Sequence, residues 1–295
     1  MALKDLVVLV TGGARGMGRE YVRGFLAQGA KVVATDLSWI PSGYSGDDFA
    51  FDEEIRDNPN VHVDVMDITV DYQVRSVYER AMERFGTMDV IINNAGMRMR
   101  DLYPPHGVMT TLETEPGEWE RMFATHVFGT LRVIKQFSQP MLAKGRGSII
   151  NVSSGGYNAS RPDSREMPYQ SAKAALVTMT LYLANELKPR GIAANIILPG
   201  HTRTTGSDEM DVIKREMRVR ELPAGTPIMR PLRYNPDNVV PLALFLAEQD
   251  AEGVTGQVID ALSWNQAHGL GGPERWAYAE DWNAPDVRRP TESHR

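Results

Sequence analysis

The hydrophobic positions of this chain change period at regular intervals. "LVVLVT" (6–11) is an unbroken apolar run, the pattern of a strand buried on both faces. A glycine-rich turn follows, and the stretch 17–28 then takes helical spacing. Further strand-like runs are "KVVAT" (31–35), "VHVDV" (61–65), "DVIIN" (89–93), "SIINVS" (148–153), "IAANIIL" (192–198) and "GQVIDA" (256–261). Between them, residues 70–85 put Val70, Val74, Val77, Tyr78, Ala81 and Phe85 on one helical face, and 117–143 and 168–188 read as two long helices. Strand and helix in alternation imply right-handed crossovers and a parallel sheet covered on both sides. The pattern predicts an α/β fold with a doubly wound parallel sheet, one domain over residues 1–262.

Residues 263–295 break the pattern. They are rich in Gly, Pro and charge, and with Trp264 next to the boundary they hold Trp276 and Trp282. A solvated tail would not normally carry tryptophans, so this C-terminal extension is expected to pack on its own or a neighbouring subunit. The two long helices also carry apolar residues on more than one side: Phe128, Leu131 and Ile134 on the first, Met179, Leu181 and Leu183 on the second. One stripe covers the sheet, and the other predicts a further copy of the chain as partner.

Composition narrows the function. Over 295 residues, 42% apolar and 24% charged, the chain can bury a sizeable core unaided. With no cysteine, disulfides and thiol chemistry are excluded, and no metal site is expected. A net charge of −6 without a basic run argues against nucleic acid. No apolar run reaches membrane-spanning length and no leader-like segment opens the sequence, so a cytoplasmic protein is the expectation.

Two stretches carry chemistry. "VTGGARGMG" (10–18) lies between the first strand and the first helix, with Gly12, Arg15, Gly16, Met17 and Gly18 in the turn. Glycines there allow a backbone to approach a pyrophosphate, which the helix N-terminus then attracts; this is where a Rossmann-type sheet binds its ligand. The second strand ends in Asp36, whose carboxylate suits ribose hydroxyls and repels a 2′-phosphate, and the following Leu37 offers no replacement cation. The expected cofactor is NAD rather than NADP, although Arg15 pulls mildly the other way. In "PYQSAK" (168–173), Tyr169 and Lys173 share a helical face, and an ammonium near a phenol would lower its pKa.

In combination these stretches resemble the short-chain dehydrogenase/reductase family. The matching features are "TGGARGMG" (11–18), Asp64-Val65, "NNAG" (93–96), "NVSS" (151–154), Tyr169-x-x-x-Lys173 and Pro199-Gly200, in the family's order. The resemblance implies that Tyr169 is the acid/base, Lys173 its partner on the nicotinamide ribose, and Ser154 a hydrogen-bond donor to the substrate oxygen. It also implies that Asn94, Ala95 and Gly96 line the adenosine ribose side, Asp64 and Val65 hold the adenine, and Pro199, Gly200, Thr202 and Thr204 hold the nicotinamide end. Homotetramers built on the two long helices are implied as well.

Three features depart from the family. Ser154 and Tyr169 are 15 apart, longer than is usual, and 97–117 is an insertion. Both lengthened loops should border the substrate, since ligands bind beyond the carboxyl ends of the strands. Third, His126 in "FATHVFG" stands where the family has an asparagine that disturbs the helix and holds a water. The stripe Trp119, Phe123, His126, Thr130, Val133, Phe137 turns His126 toward the sheet, where it could join the proton path or merely satisfy a carbonyl.

The function expected is interconversion of a secondary alcohol and a ketone with NAD(H). The alternatives are an NADPH-dependent carbonyl reductase and a cofactor-binding protein without turnover. Met97, Met99, Tyr103 and Tyr157 suggest an apolar pocket and a medium-sized hydrophobic or cyclic alcohol. Arg98, Arg100, Arg161, Arg165 and Arg203 rim it, and scattered arginines are normally solvated loop charges.

Overall fold

Seven parallel strands order the molecule, and the reversal in their order creates its main crevice. The computed structural model describes residues 3–40, 53–102, 109–158, 165–204, 212, 215–216, 230–282, 285 and 287–288. The strands are β1 (Val7–Thr11), β2 (Lys31–Asp36), β3 (Val61–Val65), β4 (Val90–Asn93), β5 (Gly147–Val152), β6 (Ile192–Leu198) and β8 (Val258–Asp260), in spatial order β3-β2-β1-β4-β5-β6-β8. A two-residue pair, β7 (Arg230–Pro231) with β9 (Val287–Arg288), lies apart and was not expected from the pattern. This is a Rossmann-type α/β fold in a single domain, with the switch between β1 and β4 opening a crevice at the carboxyl ends of the strands.

Alternate residues of each strand feed two cores. Val8, Val10, Val32 and Ala34 meet Tyr21, Val22 and Phe25 of α1 (Gly16–Ala27). Val7, Leu9 and Val33 meet Val74, Val77 and Phe137 on the other face. Strands buried on both sides need no polar alternation, which explains why they read as continuous apolar runs.

After α1 come the short α2 (Glu53–Arg56), α3 (Asp71–Phe85) and the short α4 (Met99–Leu102). The long helix expected over 117–143 is divided: α5 (Pro116–Phe123), a π-helical turn (Ala124–Gly129), α6 (Thr130–Phe137) and α7 (Gln139–Lys144). Thr125 Oγ1 takes the Arg121 carbonyl at 3.2 Å, competing with the backbone ladder where the turn widens. α8 (Met167–Leu187) runs unbroken. Ile134, expected on an outer surface, is buried against the sheet-side core, and Met179 and Leu183 are packed partly against it. Phe128, Leu131, Leu181 and Tyr182 stay exposed.

The C-terminal part forms α9 (Val240–Ala247), α10 (Ala261–Ala267) and two short turns, α11 (Pro273–Trp276) and α12 (Ala279–Trp282). Leu232, Tyr234, Trp276 and Ala277 make a small core of their own, and Trp264 stacks on His268 beside Phe245. The side chain of Trp282 lies outside the described residues. Among the described residues no helix is long and apolar enough to cross a membrane.

A buried polar chain ties the crevice strands to α8. Asn93 donates to Asn151 Oδ1 at 2.8 Å, Asn151 donates to Thr180 Oγ1 at 2.8 Å, and Thr180 donates to the Leu176 carbonyl at 2.7 Å. Asn151→Ala would strand the amide of Asn93 and one bonding site of Thr180 out of water. It should lower unfolding stability by about 2–4 kcal/mol, read as a lower urea midpoint at unchanged slope.

Candidate active site

The last residue of β5 and the two after it fix the geometry of α8. Lys173 Nζ donates to the Val152 carbonyl at 2.8 Å, and Ser153 Oγ returns a bond to the Lys173 carbonyl at 3.1 Å. Ser153 is therefore spent on holding the helix. Ser154 is not: its hydroxyl lies near enough to the Tyr169 phenol to favour its ionised form, and otherwise accepts a long 3.4 Å bond from Gly156 N. Tyr169 stands one helical turn before Lys173, whose Nζ is 5.7 Å from the phenol ring centre. The structure thus brings Ser154, Tyr169 and Lys173 together at the carboxyl end of β5.

Burial governs their protonation. It pulls the Lys173 ammonium down to about 7. It pushes the Tyr169 phenol up, reinforced by the Glu166 carboxylate and opposed by the Ser154 hydroxyl. The sequence suggested that the ammonium would lower the phenol. Here the amine is bonded to Val152 and partly neutral itself, so desolvation wins.

His126 lies in the π-helical turn, 1% exposed. Its Nε2 bonds the Met97 carbonyl at 2.8 Å, and because a carbonyl only accepts, Nε2 carries the proton and Nδ1 is left as the acceptor. The ring meets the Tyr169 ring edge-on, with centres 5.3 Å apart. It fills the space above Gly96 so closely that a Cβ there would come within 2.5 Å of His126 Cε1. Burial, then the Lys173 charge, hold its pKa well below the ordinary value, against the pull of the Met97 bond.

The glycine turn fits a dinucleotide. A Cβ on Gly18 would lie 1.8 Å from the Gly12 carbonyl, so helix and turn are closed as tightly as glycine allows. α1 begins at Gly16 with no side-chain cap from Arg15 and no acidic residue in its first turn, which leaves helix-terminal amides for an anion, with Met17 packed at the core edge. Asp36 accepts from Ala14 N at 3.0 Å and Leu37 N at 2.8 Å, which holds its carboxylate beside the turn. Leu37 and Val65, at the ends of neighbouring strands, are 65% and 53% exposed, an apolar rim of the kind a planar base would cover.

Asn94 braces this turn with bonds to the Thr11 and Gly12 carbonyls, both 3.1 Å, while Thr11 Oγ1 accepts from Asn94 N and Ala95 N. Pro199 is buried after β6, and Thr202 Oγ1 donates to its carbonyl at 2.8 Å; Gly200 is exposed and Thr204 half-buried.

Asp64 requires a correction. It does not face the crevice: its carboxylate is bonded to Arg80 of α3 at 2.6 Å and His62 at 3.2 Å, and these bonds with that of Val65 N hold it lowered against its burial. The next carboxylate beyond the end of β3 is Asp67, whose Oδ1 accepts from Thr69 N and Thr69 Oγ1 at 2.8 and 2.7 Å, next to Met66, whose N–H donates to the Asp36 carbonyl at 2.9 Å. Period-two alternation carried this signal, because Met66 packs with α3 and Asp64 shares its face.

Around Tyr169 a third apolar cluster gathers Met97, Met99, Leu102, Met109, Met122, Phe123 and Val127. The 97–117 insertion supplies Met97, Met99, Leu102 and Met109 to it, and Thr111 Oγ1 donates to Met167 Sδ at 3.3 Å, where the insertion meets the start of α8. Tyr157 sits in a short turn after β5. Arg98 is paired with Asp101, and Arg203 lies over Tyr278, which identifies these two as structural charges. Arg165 has φ +51° and its charge lowers the Glu113 carboxyl, whose main cause is the Thr110 hydroxyl. Tyr103, Arg161 and the Arg100 side chain lie outside the described residues.

The family described as short chain dehydrogenase matches residues 6–212. Among curated proteins, fluoren-9-ol dehydrogenase of Terrabacter sp. is 42% identical over 279 residues, 92% of this chain and 74% of that protein. A 3-oxoacyl-acyl-carrier-protein reductase of Thermotoga maritima is 30% identical, covering 88% of this chain and 97% of its own. A hydroxy(phenyl)methylsuccinyl-CoA dehydrogenase subunit of Thauera aromatica is 30% identical over 88% and 96%.

Burial of neutral His126 has a pH consequence. Its folded pKa lies below the unfolded value of about 6.5, so as pH falls through that value the unfolded chain takes a proton that the native state refuses. Stability from this group is full above that pH and is lost below it. His126→Asn should flatten the loss between about pH 6.5 and 5, seen as a smaller drop in Tm than the parent shows.

Proposed function

Because the chain belongs to the short-chain dehydrogenase family of oxidoreductases, we propose that it interconverts an apolar, ring-bearing secondary alcohol and its ketone with NAD(H), Tyr169 acting as acid/base. The observation that carries this reading is the grouping of Tyr169 with Ser154 and buried Lys173, whose Nζ lies 5.7 Å from the Tyr169 ring centre and bonds the Val152 carbonyl, at the carboxyl end of β5. When bound, the nicotinamide would supply the hydride acceptor or donor. The chain supplies the rest. Tyr169 exchanges a proton with the substrate oxygen, which Ser154 holds by a second hydrogen bond. Lys173 holds the adjoining ribose and keeps a positive end near the phenol. His126 stands behind the Tyr169 ring in the place of the family's asparagine, tied to Met97, and offers Nδ1 as a buried acceptor in the proton path.

The cofactor assignment is supported by the glycine turn with Gly12, Gly16 and Gly18, and by the Asp36 carboxylate at the end of β2. Asp67 rather than Asp64 takes the adenine side with Val65. The substrate class is supported by the methionine-rich cluster around Tyr169, whose flexible thioethers adapt to flat rings, and by the relative that acts on fluoren-9-ol. Assembly into a homotetramer is supported by exposed Phe128, Leu131, Leu181 and Tyr182 on the π-helical turn, α6 and α8.

The experiment is steady-state oxidation of fluoren-9-ol and related carbinols with both coenzymes. The parent should prefer NAD by about ten-fold or more, which is about 1.4 kcal/mol, and Asp36→Ala should shrink that preference. Tyr169→Phe should lower kcat about a hundred- to ten-thousand-fold while NADH still binds. Full activity in Tyr169→Phe overturns the mechanism, and equal efficiency of the parent with NADP overturns the coenzyme assignment.

A further inference from the structure

The segment that follows β6 is held from behind by the C-terminal part of the chain. Arg203 N donates to the Tyr234 carbonyl at 2.7 Å and Tyr234 N to the His201 carbonyl at 3.0 Å, which bridges Thr202 to Tyr234. On its other side Tyr234 is bridged to Ala277. Asn235 N reaches the Trp276 carbonyl at 2.8 Å, and Tyr278 N reaches the Arg233 carbonyl at 2.9 Å. Three short segments therefore lie side by side: 201–203, 233–235 and 276–278.

Each is too short to be stable as a sheet alone, so side chains decide whether the layer holds. Arg233 grips both oxygens of the fully buried Asp281 carboxylate, at 2.6 and 2.8 Å. The guanidinium groups of Arg203 and Arg233 lie over the Tyr278 ring, 4.1 and 5.7 Å from its centre. At the opposite end the same segment reaches the glycine turn. A Cβ built on Gly16 would stand 3.2 Å from the Thr204 methyl, so Thr204 packs directly on the turn. Tyr278 is thus linked through Arg203 to the residue that faces the phosphate-binding loop.

We propose that residues 276–281 of the C-terminal extension are part of the dinucleotide site, with Tyr278 as a positioning residue that holds 202–204 across the glycine turn through its stack with Arg203. The proposal rests on the dinucleotide reading above. Its physical basis is preorganisation. A segment already ordered over the turn does not have to be ordered when the ligand arrives, and loosening it returns that entropy to the binding step.

The test is direct titration of the purified full-length protein with NADH by calorimetry, alongside thermal unfolding and steady-state kinetics. Tyr278→Ala should weaken the Kd for NADH by about ten-fold, with most of the loss in kcat/KM appearing in KM for the coenzyme. Tyr278→Phe keeps the ring face and should bind as the parent does. Arg203→Gln removes the stack from the other side without touching the extension, and should weaken binding in the same direction even if Tyr278→Ala proves unstable. Parent-like Kd values in both Tyr278→Ala and Arg203→Gln overturn the proposal, as does a Tyr278→Phe variant as weak as Tyr278→Ala. A parent that binds neither NADH nor NADPH overturns the dinucleotide reading itself, whereas a tight-binding parent with tight-binding variants leaves that reading standing and removes only the positioning role of Tyr278.

Discussion

The junction of β5 with α8 is the constraint on which the site depends. Asn151, Val152 and Ser153 each exchange a side-chain or carbonyl hydrogen bond with α8, to Thr180, Lys173 Nζ and the Lys173 carbonyl. These bonds are buried, and each leaves an unsatisfied group if broken. They fix the rotation of α8 about its axis. With that rotation set, Tyr169 lies one turn before Lys173, next to the chain leaving β5.

The same burial sets a chemical tension. A lysine pulled down to about 7 and a phenol pushed up lie beside a histidine held neutral. Groups so placed are costly to charge, and their protonation answers to whatever enters beside them. His126 belongs to this arrangement through the π-helical turn, which swings its ring over Gly96 toward Tyr169. A regular helix through Ala124–Gly129 would place the ring differently, and Thr125 bonding back to Arg121 is the local device that disturbs it.

The insertion and the extension each back a different part of the site. Methionines of the insertion and of α5 gather on Tyr169, while the extension backs the segment after β6 through Arg233–Asp281 and Arg203–Tyr278. The scaffold around the sheet is ordinary for its fold, and what distinguishes this chain is laid on at the carboxyl ends of the strands.

Strand positions, the parallel sheet and its crevice were legible in the sequence, because doubly buried strands leave unbroken apolar runs and glycines at 12, 16 and 18 mark the turn. That Tyr169 and Lys173 share a helical face was legible from their spacing, and the ordered set of motifs around them pointed to their role. Direction and protonation were not. Asp64 turned to Arg80, Ile134 turned to the core, the helix over 117–143 broke at a π-helical turn, and the phenol moved up rather than down. The sequence by itself determined the seven strands of the sheet and the long helices α1, α3 and α8, since their signals are local periodicities. Only the tertiary structure decided which groups are buried side by side and which carboxylate meets which cation, because burial and ion pairing depend on residues far apart in the chain.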